Sequence, residues 1–183
     1  MKFGTDGIRG IAYEELSEDF AYKAGNALGG LKEKCRAVIG RDTRISGEDL
    51  SNAFCKGFID AGGEILDLGL MPTAGVAYLA IKHACDYGVV ISASHNPPEY
   101  NGIKVFDGEG HKISESLERE IEDRISGKLY MRKGGARIAY DNGEAEYVAF
   151  LADKGVNLKS VKILLDCSNG ATSRIAPEVF RKL

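Results

Sequence analysis

The sequence predicts a three-layer α/β/α domain with a mixed, mainly parallel sheet, followed by the first strand and helix of a second α/β domain. Segments with apolar residues at helical spacing alternate with short runs rich in β-branched residues, the order expected of a sheet covered on both faces. The length of 183 residues corresponds to one domain and a fraction, and the texture of the chain changes after residue 126. The expected division is a first domain over residues 1–140, then a linker helix and the start of a second domain over 141–183.

Each element has a local reason. Ser17 can cap a helix carrying Phe20, Ala24, Leu28 and Leu31 on one face, and Leu50, Phe54, Phe58 and Ile59 repeat that spacing after Ser46. Ala37-Val38-Ile39, Ile65-Leu66-Asp67-Leu68 and residues 87–91 read as buried strands. Between the second and third of these runs, residues 73–85 place Val76, Leu79 and Ala80 on one helix face. Asn101-Gly102 is a turn, and the strand after it sets Lys104 opposite Ile103 and Val105. Leu117, Ile121 and Ile125 repeat every four residues in a helix over 114–126. Ser126-Gly127-Lys128 and Lys133-Gly134-Gly135 are turn-rich and read as a linker, followed by a helix over 144–154. Residues 161–167 form the next expected strand, and a helix over 171–183 follows the turn Ser168-Asn169-Gly170.

Composition excludes several classes. Hydrophobic residues make up 44% of the chain and charged residues 28%, enough apolar surface to offset the entropy of folding. The 24 basic residues are scattered among 27 acidic ones, so no nucleic-acid partner is expected. The longest uncharged apolar stretch, 69–81, is shorter than the roughly 20 residues of a membrane span. Neither membrane association nor a signal peptide is expected, so a cytoplasmic protein is the simplest expectation. Cys35, Cys55, Cys85 and Cys167 lie in apolar settings without a C-x-x-C pair and read as reduced core residues.

The chemistry concentrates at strand ends. Ser92-Ala93-Ser94-His95-Asn96-Pro97 follows a buried strand directly, where α/β sheets bind ligands, and such a loop can hold the Ser94 hydroxyl in one place. On composition alone the solvent turn is the favoured reading. His95 is badly placed to act as a base for Ser94, because neighbouring side chains on an extended segment point apart. A hairpin would return Lys104 beside the serine loop, where a cation suits phosphate chemistry, although an exposed lysine needs no such role. In the glycine-rich start, Arg9 offers a fork of donors suited to phosphate. The loop 40–47 either cradles an anion or is paired internally, with Asp42 pinning Arg41 or Arg44; pairing is the preferred reading.

Five motifs occur in order: F-G-T-D-G-I-R-G at 3–10, G-R-D-T-R-I-S-G at 40–47, M-P-T at 71–73, I-S-A-S-H-N-P at 91–97 and N-G-I-K at 101–104. Together they closely resemble the α-D-phosphohexomutase family, and L-D-C-S-N-G-A at 165–171 resembles the opening of its second domain. The resemblance implies a phosphoserine isomerase acting on a small-molecule hexose or hexosamine phosphate through a hexosamine 1,6-bisphosphate, which also serves as activator. Ser94 would carry the phosphoryl group, Lys104 would shuttle the proton, Arg9, Thr5 and Asn96 would line the phosphate pocket, and His95 would support the loop. Mg²⁺ is implied, with Ser94 a ligand through its phosphate. Family members are more than twice as long and carry a D-x-D-x-D metal loop that this sequence lacks. The expectation is therefore the amino-terminal part of such an enzyme, inert alone; a short non-catalytic binding module is the alternative.

Overall fold

The apolar runs alternate their burial between two separate cores, and this divides the layers. In the computed structural model, which describes residues 1–183, twelve elements follow in order. They are β1 (Ile8–Ile11), α1 (Glu18–Gly29), β2 (Arg36–Arg41), α2 (Gly47–Asp60), β3 (Glu64–Leu70) and α3 (Thr73–Lys82). Then come β4 (Tyr87–Ile91), β5 (Tyr100–Asp107), α4 (Glu115–Ile125), β6 (Ala136–Ala139), α5 (Gly143–Lys154) and α6 (Ile175–Lys182). The six strands form one sheet in the order β1-β5-β4-β2-β3-β6. Pairs β2–β3, β2–β4 and β3–β6 are parallel, while β1–β5 and β4–β5 are antiparallel, so the sheet is mixed and mainly parallel as expected.

Ala37, Ile39, Val89, Ile91, Ile103 and Val105 face a core built with Leu28 of α1, Phe54 and Phe58 of α2 and Ile121 of α4. Val38, Leu66 and Val90 face the other way, onto Val76 and Leu79 of α3, Tyr147 of α5 and Val179 of α6. Buried phenylalanines such as Phe54 and Phe58 contribute roughly 1.5–3 kcal/mol each by leaving water. Cys35 and Cys55 are buried free thiols, and burial pushes each up to about 12, so neither forms a thiolate at neutral pH.

Local signals for the helices hold at two ends. The Ser17 hydroxyl accepts the Phe20 amide (3.1 Å) and the Ser114 hydroxyl accepts that of Leu117 (3.3 Å). Ser46 differs: its backbone is already helical, and its hydroxyl accepts Asn101 Nδ2 at 2.9 Å, joining α2 to β5.

Four expectations change, the first being that Asn101-Gly102 is not a turn but lies inside β5, paired with Gly10 and Arg9 of β1. Residues 161–167 do not form a strand: none of the six strands offers them a hydrogen-bonding ladder, and Val161, Ile163, Leu164 and Leu165 stay exposed. The final helix begins at Ile175, after turns, rather than near 171. The segment read as a linker contains β6, an edge strand that lies parallel to β3 with Glu64 opposite Ala136 and Asp67 opposite Ala139. Three of its four residues are exposed, so it carries no periodic apolar signal.

That same segment is tied down at Tyr130. Asn26, only 1% exposed, donates to Tyr130 O (2.8 Å) and Gly57 O (3.2 Å) and accepts the Tyr130 amide (2.8 Å). The Tyr130 ring lies against both Arg124 and Arg132. Asn26→Ala leaves the half-buried Tyr130 amide and carbonyl without their partner, while the Gly57 carbonyl keeps the Ala61 amide, and is expected to cost about 1–2 kcal/mol, read from urea unfolding. A loss below roughly 0.5 kcal/mol would show that water meets those groups equally well.

Candidate active site

Where β4 ends at Ile91, the chain passes through the buried Ser92 and Ala93 and turns sharply at Ser94. Ser94 has φ +58°, a left-handed conformation that is unfavourable for a residue with a Cβ and needs support from its surroundings. The support is visible. Ser92 Oγ accepts the Ser94 amide (2.9 Å) and donates to Asp42 Oδ2 (2.5 Å). Asp42 also accepts from the Arg44 amide and from Arg44 Nε, each at 3.1 Å.

Arg44 completes the arrangement. Its Nη1 donates to the carbonyls of Pro97 (2.6 Å) and Tyr100 (2.8 Å), and its Nη2 to those of Ser94 and Asn96, both at 2.8 Å. The internal pairing expected of the 40–47 loop is therefore present, with Arg44 rather than Arg41 as the partner of Asp42. Arg41 turns instead to Glu48 (3.3 Å).

Other expected residues divide between two hollows. Ser94, His95 and Asn96 line a cleft of about 630 Å³ with the 42–45 loop, the start of α3 and the turn at 168–172. Arg9 reaches that loop from β1, donating to Asn96 Oδ1 (2.9 Å) and pairing with Asp6 (3.0 Å), while its buried Nε has no partner. His95 Nδ1 is 3.5 Å from Ser94 Oγ, at the outer limit for a hydrogen bond, in keeping with its poor placement as a base.

Lys104 and Thr5 do not line this cleft. They line a separate recess of about 210 Å³ with Phe3, Gly7, Lys112 and Glu118. The expected hairpin does form, but its register puts Lys104 opposite Val90, four residues before Ser94. The lysine is thus beside a strand residue of the cleft and not beside the serine.

Reading motifs along the chain missed the turn after residue 167 as part of the site. Thr43 Oγ1 donates to the Asn169 carbonyl at 2.9 Å, and Ser168, Gly170, Ala171 and Thr172 line the cleft. Ser168 and Asn169 both have positive φ (47° and 52°), and the Asn-Gly pair was the available signal. Ser92 was also missed; its spacing of two from Ser94 is what lets one serine side chain hold the other's amide.

Chemically, the cleft presents the exposed Ser94 hydroxyl on a backbone held from both sides, with His95 within reach of it but poorly placed as its base. Asp42 is the one carboxylate lining it, and it is committed to Arg44 and Ser92. No three His, Cys, Asp or Glu side chains in the chain gather as a metal site.

Comparison with known proteins shows the family of the chain. The family described as phosphoglucomutase/phosphomannomutase, alpha/beta/alpha domain I, matches residues 1–131. The phosphoglucosamine mutase of Clostridium acetobutylicum is 44% identical over 192 aligned residues, which cover 99% of this chain and 43% of that protein. That of Clostridioides difficile is 41% identical, with the same coverage of 99% and 43%. A crystal structure of a phosphoglucomutase/phosphomannomutase family protein from Burkholderia thailandensis superposes with a TM-score of 0.80 at 28% identity, covering 99% of this chain and 42% of that one. The chain thus spans about 43% of the length of the curated relatives it matches. With the family match running from the glycine-rich start through the serine loop to α4, the chain belongs to the phosphoglucomutase/phosphomannomutase family through its α/β/α domain I.

Proposed function

We propose that this chain is the phosphoserine-bearing part of a phosphoglucosamine mutase, a cytoplasmic isomerase interconverting glucosamine 6-phosphate and glucosamine 1-phosphate. One observation carries the reading: an exposed Ser94 hydroxyl on a pinned, left-handed loop, in a chain 44% identical to a phosphoglucosamine mutase. A phosphomannomutase or phosphoglucomutase would use the same carrier, and the family name of the superposed structure keeps that second reading in view.

In the proposed cycle the P–O bond at Ser94 breaks as one forms to a hydroxyl of the sugar phosphate, giving glucosamine 1,6-bisphosphate. The reverse transfer, from the other phosphate, regenerates phosphoserine and the isomerised product. Phosphoryl transfer depends mainly on positioning and charge neutralisation, so a serine without a well-placed base is adequate as carrier. Arg9 is proposed to meet the phosphate with the donors it does not spend on Asn96 and Asp6, and His95 and Asn96 to shape the loop around it. Lys104 is proposed to shuttle the hydroxyl proton and Thr5 to line the phosphate pocket, although both line the separate recess rather than the serine cleft.

Mg²⁺ supplies charge neutralisation in such chemistry when bound. The donors of this chain do not fit it as a site: the one carboxylate of the cleft is already engaged, and a single ligand through the Ser94 phosphate falls short of near-octahedral coordination. We assign residues 1–140 to a first domain and 141–183 to a linker helix with the beginning of a second.

The test uses a full-length protein carrying this chain. Incubation with glucosamine 1,6-bisphosphate is expected to leave one phosphoryl group, mapped by peptide mass to Ser94, and glucosamine 6-phosphate is expected to be the preferred substrate. Phosphate on another residue sinks the carrier assignment; preference for mannose or glucose phosphates sinks the sugar assignment. The 183-residue chain alone is expected to remain at background turnover.

A further inference from the structure

We propose that Arg44 is a positioning residue for phosphoryl transfer, holding the Ser94 backbone so that the serine hydroxyl alone is free to move. This rests on the reading of Ser94 as the phosphoryl carrier.

A guanidinium has five N–H donors in a rigid planar fork. Here all five are spent: Nε on Asp42, two on Pro97 and Tyr100, and two on Ser94 and Asn96. Nothing remains for a phosphate or a sugar, so Arg44 cannot serve as a ligand without giving up part of the loop. Arg9 stands in contrast, with a buried Nε that has no partner.

The network also closes on itself. The Ser94 amide donates to Ser92 Oγ, Ser92 donates to Asp42, Asp42 pairs with Arg44, and Arg44 donates back to the Ser94 carbonyl. Both peptide groups that flank the serine Cα are therefore held by one ring of side chains. Four carbonyl oxygens converging on one point would repel each other without a cation between them. Arg44 is well shielded, with its side chain 10% exposed, and Asp42 balances its charge.

A lysine keeps the charge but offers three donors from a single point, which cannot span four carbonyls and a carboxylate. Arg44→Lys in the full-length enzyme is expected to lower kcat on the order of 10²-fold while KM stays within about threefold, because small misplacements of a reacting group cost rate rather than binding. Ser92→Ala, which removes the acceptor of the Ser94 amide and the donor to Asp42 but leaves every Arg44 bond in place, is expected to lower kcat about 10-fold. In the 183-residue chain, both substitutions should speed amide hydrogen exchange over 93–100 and leave the β2 and β4 amides unchanged.

Unchanged kcat and unchanged loop exchange in both variants would overturn the proposal. So would a rise in KM with kcat intact, which would make Arg44 a ligand. If Arg44→Lys unfolds the chain, Ser92→Ala decides alone: parental kcat then assigns Arg44 a purely structural role. Turnover surviving Ser94→Ala would instead sink the carrier reading, and the exchange measurement, which needs no activity, still reports on the loop.

Discussion

Ser94→Ala in the full-length enzyme is expected to lower kcat by about 10⁴-fold or more, the scale of deleting a covalent nucleophile, while leaving the fold intact. The network around residue 94 grips its backbone amide and carbonyl and not its side chain, so the loop loses no hydrogen bond that holds it. Alanine at φ +58° is also no more strained than serine. Two other hydroxyls of the cleft are already committed. Ser92 is buried and donates to Asp42, and Thr43 donates to the Asn169 carbonyl. Steady-state turnover of glucosamine 6-phosphate together with urea unfolding checks both halves. Near-normal activity refutes the assignment, and a stability loss above roughly 1 kcal/mol would mean that the hydroxyl supports the loop after all.

The largest effect on stability is expected from Gly57→Ala. Helices α1 and α2 press together backbone to backbone: a Cβ at Gly57 would overlap the Tyr22 carbonyl, and one at Gly25 the Phe54 carbonyl. A carbonyl held in a helix cannot swing aside as the end of a long side chain can. The helices must separate, and Leu28, Phe54 and Phe58 between them lose contacts that currently leave no space. Overpacking of this kind typically costs about 1–3 kcal/mol and sometimes more. Against it stands the roughly 1 kcal/mol that alanine returns over glycine within a helix. Because the clash is with backbone, the gross cost is expected at or just above the top of that range, about 3–4 kcal/mol, for a net loss of about 2–3 kcal/mol, read as a lower urea midpoint at unchanged slope. Gly69→Ala is the control for left-handed backbone alone, since Gly69 has φ +62° and no atom within 4 Å of where a Cβ would stand. It should cost about 1 kcal/mol. If Gly57→Ala costs no more than that, the helix contact is not as close as described.

Much of the fold was legible because its elements are buried on a regular period. The strand runs at β2, β3 and β4 and the helix faces of α1 to α4 announce themselves through residues that must leave water. Their sequence spacing matches the core they enter. Edge strands gave no such signal. β1 lies in a glycine-rich start read for its chemistry, and β6 exposes three of its four residues. The strand expected at 161–167 shows the converse: an apolar run states a propensity, but a strand exists only where a neighbour offers its amides and carbonyls.

By itself, the sequence determined the mixed α/β architecture and the serine loop at the end of β4. Hydrophobic periodicity and ordered motifs are local properties. Only the tertiary structure decided which of the loop's neighbours serve it. Arg44, fifty residues before Ser94, spends every donor on that loop and its partner Asp42, whereas Lys104, ten residues after the serine, lines another hollow. Strand register sets the second outcome and the fork geometry of one buried guanidinium the first, and neither is written in spacing along the chain.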